Sequence, residues 1–214
     1  MSQEYVVVQN PDVPQQLFLL FHGVGDTPAG MAQIGRYFAA AFPQALVVSI
    51  GGPFSSGYGE GRQWFSVQGV TEENRLSRIE AIVPRFVAVV RDWQQKSGVG
   101  FQQTTLVGFS QGSIMSLEAL KTESQLAGQV IAFSGRFAVL PEKPFGDVVV
   151  HLIHGDADGV IAVSHAQAAA QRFQALGTAF SLDVAPDVGH GIDERMLNHA
   201  LAHLRHDENL ASRR

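Results

Sequence analysis

Ser110 stands in Gly108-Phe109-Ser110-Gln111-Gly112, a G-x-S-x-G arrangement. A serine hydroxyl becomes a nucleophile only beside a base, with donors ready for the oxyanion that its attack creates. The chemistry on offer is acyl transfer, with attack on an ester or thioester carbonyl. In a chain with 22 glycines the motif alone is weak, and an ordinary glycine turn with a serine helix cap is the plain alternative. Position strengthens the first reading. Residues 103–107 form a buried-strand pattern and residues 113–117 open a helix, so Ser110 falls on the strand-to-helix turn this motif needs. That turn is sharp and strained. Side chains at 108 and 112 would collide with the neighbouring strand and helix, which accounts for both glycines. The N–H of Gln111 then lies at a helix N-terminus and faces a developing oxyanion.

A second oxyanion donor is expected from the loop after an early strand. The apolar run 17–21 leads into His22-Gly23-Val24-Gly25-Asp26, and Val24 is the candidate. The pair Gly23 and Gly25 could also begin a dinucleotide fingerprint, but position 28 is proline where glycine is required. A plain tight turn is the other alternative. His22 reads as a structural, hydrogen-bonded residue near the site.

On such a turn the partners follow in chain order serine, acid, histidine. That order excludes His22 as the base and disfavours His151 and His154. Of the later histidines, His165 opens a helix. His199 and His203 are four apart on one helix, a spacing that could ligate a metal, but no third ligand or HExxH pattern accompanies them. A solvated helix face is preferred. His190 lies in Asp187-Val188-Gly189-His190-Gly191, a loop between the last strand and the last helix, and is the candidate general base. The acid must orient that imidazole. Asp156 and Asp158 both follow the strand pattern at 148–153, and spacing does not separate them. One of the two could simply cap the turn.

These residues need a scaffold of alternating elements. Strands are predicted at 5–8, 17–21, 46–50, 104–108, 130–133, 148–153 and 180–184. Several are apolar throughout, as in strands covered on both faces. Helices are predicted at 31–42, 72–96, 111–121, 164–176 and 192–205. Pro84 should kink or break the second. The alternation gives an α/β class with a doubly wound, mostly parallel sheet. Residues 51–69 form one long glycine-punctuated irregular stretch, of a length usually tied to function or mobility. Its Phe54, Tyr58, Trp64 and Phe65 are candidates for an apolar acyl groove, although aromatics are as often core. One domain over 1–206 and a fraying tail over 207–214 complete the expectation.

Composition narrows the partners. The 214 residues carry 15 basic and 20 acidic side chains, for a net charge of −5. That gives no electrostatic reason to expect nucleic acid or a stable membrane association. The chain has no cysteine, which removes disulfides, thiolate nucleophiles and zinc-thiolate sites. No basic segment precedes the short apolar stretch Val6 to Val8, so a cytoplasmic protein is expected. A small ester or acyl compound is the expected partner and no cofactor is called for. A homodimer stays open.

Taken together, Phe21-His22-Gly23-Val24-Gly25-Asp26, Gly61-Arg62-Gln63-Trp64-Phe65, the serine motif, His154-Gly155-Asp156-Ala157-Asp158 and Gly189-His190 resemble the small carboxylesterase/phospholipase family of α/β hydrolases, which includes acyl-protein thioesterases. The resemblance implies an α/β-hydrolase fold and Asp158, not Asp156, as the triad acid. Two departures stand out. Gly159-Val160-Ile161 replaces the usual proline and apolar pair, leaving the acid turn more flexible. Ser66 stands where the family often has aspartate, which bears on the pocket wall. Only residues 134–147 are available where larger hydrolases insert a lid, so the site should be open. The expected activity is ester or thioester hydrolysis through Ser110, His190 and Asp158. A non-catalytic ligand-binding relative and a peptidase are the rivals.

Overall fold

The computed structural model describes residues 3–212. Seven strands form one sheet: β1 (Tyr5–Gln9), β2 (Gln16–Phe21), β3 (Ala45–Ile50), β6 (Thr104–Phe109), β7 (Gln129–Phe133), β8 (Val149–Gly155) and β9 (Ala179–Ala185). Two short strands, β4 (Phe54–Ser55) and β5 (Arg62–Gln63), pair apart from it. The sheet order is β1-β3-β2-β6-β7-β8-β9, and only β1 runs antiparallel to its neighbour. β2 and β3 are buried almost throughout, which explains their unbroken apolar sequence. β1 is an edge strand and stays half-exposed.

Five helices cover the two faces: α1 (Pro28–Ala41), α2 (Glu72–Ser97), α3 (Gln111–Leu120), α4 (Ser164–Leu176) and α5 (Glu194–Ala211). Their ends carry local signals. The Thr27 hydroxyl accepts from Gly30 N–H and Pro28 opens α1. At α2, Thr71 and Asn74 form a reciprocal capping box, and Gly98 closes the helix at φ 71°. Asp193 caps α5 through Met196 N–H. One apolar cluster, around Phe21, Trp64, Phe86, Met115 and Phe173, packs on one side of the sheet. A second, around Phe18, Phe38, Phe133, Met196 and Leu204, packs on the other.

The sheet order reverses between β2 and β6. Chain segments leaving the C-terminal ends of these adjacent strands diverge and leave a crevice, the usual ligand position in a doubly wound sheet. Among the described residues, no helix or strand is inserted between β7 and β8.

One expectation is narrowed and two need correction. α2 continues through Pro84 without a break. A proline costs the helix one N–H donor, and the apolar stripe Ile79, Ile82, Val83, Phe86 and Val90, buried against the sheet, holds the helix across it. Residues 51–69 are not wholly irregular, because β4 and β5 form a small ladder within them. The tail expected to fray from Asp207 is helical through Ala211. Asp207 there accepts from Gln129 Nε2 and pairs with His151, which fastens the helix end to the sheet. Arg213 and Arg214, also part of that expected tail, lie outside the described residues. Among the described residues, no helix is long and apolar enough to cross a membrane.

Candidate active site

Ser110 follows β6 directly and forms the N-cap of α3, with φ 52° and ψ −114°. A non-glycine residue with positive φ is strained and persists only where its surroundings fix it. Here Ser110 N–H donates to Phe133 O at 3.0 Å, and Ser110 O accepts from Ile114 N–H at 3.0 Å. The flanking glycines are steric necessities. A Cβ on Gly108 would lie 2.4 Å from Ser113 N, in α3. A Cβ on Gly112 would lie 1.9 Å from Phe21 O, in β2.

His190 comes from the loop between β9 and α5. Its Nε2 lies 2.9 Å from Ser110 Oγ, and its Nδ1 lies 2.8 Å from Asp158 Oδ2. With Nδ1–H donating to the carboxylate, Nε2 is free to accept the serine proton. The imidazole also packs on Phe109, with ring centroids 5.0 Å apart. Asp158 follows β8, and its side chain is fully buried. Burial alone would raise its pKa. The hydrogen bond from His190 and those from Ile161 and Val160 N–H to Oδ1, each backbone bond 2.9 Å, outweigh that and hold the carboxyl below its usual range. Asp156 points elsewhere: it is exposed, and its Oδ1 accepts from Asp187 N–H. The two aspartates that spacing left equal are therefore separated by geometry.

The loop after β2 reaches the same place. Gly25 N–H donates to Arg62 O and Asp26 N–H to Gly23 O, which ties the loop to β5 and curls it around Val24. Among the described residues, neither Val24 N–H nor Gln111 N–H has a protein acceptor. Both residues line the cavity that contains Ser110. His22 accepts from Gly52 N–H at Nε2 (2.9 Å) and donates from Nδ1 to Gly23 O (2.7 Å). Burial lowers its pKa. It is the structural histidine the sequence implied.

The cavity has a volume of about 440 Å³, within the span of small-molecule sites. Its apolar lining is Phe65, Val67, Val70, Ile114, Val160 and Ile161. Of the four aromatics expected to build it, only Phe65 does. Trp64 is fully buried and packs edge-on against Phe86 and Phe21. Phe54 is exposed beneath the Arg85 guanidinium, and Tyr58 is exposed away from the cavity.

Spacing gave no hint of three other features. The Gln111 side chain accepts from Trp64 N–H at 2.6 Å and donates to Phe65 O at 2.8 Å. It thus holds the pocket wall against the nucleophile turn. Arg75, Arg136 and His165 also face the cavity, brought there by α2, the segment after β7 and α4. His199 and His203, the spaced pair, both approach Asp183 on β9, at 3.2 and 2.7 Å. On the solvated helix face that was expected, they also tie α5 to the sheet edge, His199 exposed and His203 half-exposed.

A sequence profile described as Phospholipase/Carboxylesterase matches residues 3–207. The chain is 54% identical over 207 residues to esterase YpfH of Escherichia coli (strain K12), covering 96% of this chain and 89% of that protein. It is 27% identical over 208 residues to acyl-protein thioesterase 1 of Eremothecium gossypii, covering 88% and 86% respectively. Among solved structures, it superposes on esterase PE8 with a TM-score of 0.83 and 28% identity, covering 96% of this chain and 98% of that one.

Proposed function

The chain belongs to the phospholipase/carboxylesterase family and is a carboxylesterase-type hydrolase, and on that premise we propose that it cleaves small carboxylic esters through Ser110, His190 and Asp158. The observation that carries the reading is the continuous hydrogen-bonded path Ser110–His190–Asp158, opening on a cavity lined by Val24 and Gln111, whose N–H groups have no protein acceptor among the described residues.

His190 Nε2 takes the hydroxyl proton as Ser110 Oγ attacks the ester carbonyl. Asp158 holds the imidazole in the right tautomer and stabilises the imidazolium. The N–H groups of Val24 and Gln111 stabilise the oxyanion, helped by the positive end of α3. The tetrahedral adduct collapses to an acyl-enzyme, and His190 gives its proton to the departing alcohol. Water then attacks the acyl group, with His190 again as base, and Ser110 is regenerated. This sequence calls for no cofactor.

Thioesters are a natural extension, since the same attack serves a thiol leaving group and one relative is named an acyl-protein thioesterase. Labelling with a fluorophosphonate is the first test. Wild-type protein is expected to label at one site, and Ser110→Ala is expected not to label and to lose about 10⁴-fold or more in ester turnover. A folded wild-type protein that fails to label would favour the ligand-binding reading, and near-normal turnover by Ser110→Ala would remove Ser110 as nucleophile. A chain-length series on model esters and thioesters, run beside peptides, sets the substrate class.

A further inference from the structure

The cavity around Ser110 has two kinds of wall. Beside its apolar residues, two arginines line it, Arg75 and Arg136. Every guanidinium nitrogen of Arg136 has an acceptor: Nη1 and Nη2 donate to the two Glu72 oxygens at 3.0 and 2.8 Å, and Nε donates to Phe137 O. Arg75 differs. Among the described residues its only acceptor is Glu72 Oε1, at 3.2 Å from Nη2, an oxygen it shares with Arg136. Its Nε is buried without a partner. One carboxylate thus serves two guanidiniums and leaves a positive charge in the wall.

The surroundings do not cancel it. Arg78, one turn further along α2, donates only to the carbonyls of Ser66, Gln68 and Gly69. Glu73 is exposed at the start of the helix. Asp158 is engaged by His190 and two backbone N–H groups. His165, also in the wall, has its pKa lowered by burial and then by the Arg136 charge. A purely apolar acyl groove has no use for a guanidinium with most of its donors free. Burying such a group beneath a neutral chain is costly, whereas a carboxylate or phosphate would satisfy it with strong, charge-assisted bonds.

We propose that this pocket selects esters carrying a second, anionic group, which Arg75 binds while the ester carbonyl lies at Ser110. The inference rests on the esterase reading above and names its substrate class. Arg75 is a specificity residue, and the Glu72–Arg136 pair keeps its guanidinium facing the cavity.

The test compares matched esters. One arm puts the charge in the acyl part, with 4-nitrophenyl hemiglutarate against 4-nitrophenyl pentanoate. The other puts it in the leaving group, with 4-carboxyphenyl acetate against phenyl acetate. Wild-type protein should prefer the anionic member of at least one pair by kcat/KM. Whichever arm shows the preference identifies the end of the ester that faces Arg75. In Arg75→Gln the ratio of anionic to neutral kcat/KM should fall about 10- to 100-fold, the loss expected of one charged hydrogen bond. It should appear mainly as a raised KM for the anionic ester, and Arg75→Lys should recover part of it. An unchanged ratio in an Arg75→Gln protein that still labels with fluorophosphonate overturns the proposal. So does a wild-type ratio at or below one in both arms, which decides the matter even if Arg75→Gln does not fold. Ser110→Ala separates the two readings. If it is inactive on every ester while the ratios show no charge preference, only the anionic selectivity falls. If it stays active, the nucleophile assignment falls.

Discussion

Two Ser–His–Asp chains run through this molecule, with nearly equal distances. In one, His190 stands 2.9 Å from Ser110 Oγ and 2.8 Å from Asp158. In the other, His151 stands 2.7 Å from Ser181 Oγ and 2.9 Å from Asp207. The imidazoles face opposite ways: the serine is at Nε2 in the first chain and at Nδ1 in the second. Ser181 sits in the middle of β9, in register with His151 on β8, and has ordinary strand geometry. The His203 ring stacks on His151 with centroids 4.7 Å apart, and Asp207 also accepts from Gln129. His151 is almost fully buried. The second chain is a fastening between α5 and the sheet. Hydrogen-bond distances therefore do not distinguish the site proposed as reactive from the fastening. The distinction lies in a serine on a strained turn at a helix N-terminus, two N–H groups without acceptors, and a cavity to hold a substrate.

The strongest way to break this contrast is to remove each imidazole. His190→Ala is expected to lower kcat/KM for a model ester by about 10⁴-fold or more, with little change in Tm. His151→Ala should do the reverse. It strips a partner from the half-buried Ser181 and Asp207, at a cost of about 1 kcal/mol each, so Tm should drop by several degrees. The folded fraction should keep most of its turnover. Thermal melts beside active-site titration check both, and comparable activity losses would dissolve the distinction.

The acids give the next comparison. Asp158→Asn should cost roughly 10³- to 10⁴-fold in kcat, because the amide favours the wrong imidazole tautomer. Asp156→Asn and Asp207→Asn should each leave kcat within a few-fold of wild type. Equal losses at 156 and 158 would undo the assignment of the acid.

Much of this scaffold was legible in the sequence. All seven strands of the main sheet lie within a residue or two of their predicted ranges, because each is a short run rich in apolar and β-branched residues between helical patterns. Ser110 was legible for the same reason: motif, strand and helix are contiguous. Chain order disfavoured His151 because it precedes the acid candidates, and the structure places it away from Ser110, against Ser181 and Asp207. Asp158 was separable from Asp156 only by resemblance, because the choice depends on which carboxylate turns inward. The pocket was least legible. Trp64 and Phe65 are adjacent with similar chemistry, yet one faces the core and the other the cavity. Arg75 and Arg136 meet through Glu72 across 61 residues of chain, and no local pattern announces such a meeting.

Acid pH probes two further buried histidines, of which His154 lies 3.4 Å from Asp158 Oδ2. His22 and His154 have pKa values lowered by burial, so the folded protein binds fewer protons there than the unfolded chain does. Their contribution to stability is complete above the ordinary histidine pKa, about 6.5, and declines as pH falls below it. Tm should accordingly decrease between pH 7 and pH 5. His22→Asn should show a shallower decrease from a lower starting value. A Tm that stays level over this interval would mean that both imidazoles accept protons in place.

The smallest effect should come from the residue that most resembles the nucleophile by distance. Ser181 Oγ has one partner, His151 Nδ1, and it sits on a half-exposed strand face. Replacing it with alanine removes one neutral hydrogen bond, about 1 kcal/mol, and opens no large void. For a domain of this length that corresponds to a fall in Tm of roughly 2–4 °C. Turnover should stay within about twofold of wild type, since β9 reaches the active site only through the loop after Ala185. Against the loss of about 10⁴-fold expected at Ser110, the pair Ser181→Ala and Ser110→Ala holds distance nearly constant and varies everything else. If Ser181→Ala lowered kcat tenfold without lowering Tm, the fastening would be coupled to the chemistry, and the position of the His190 loop would depend on the sheet edge behind it.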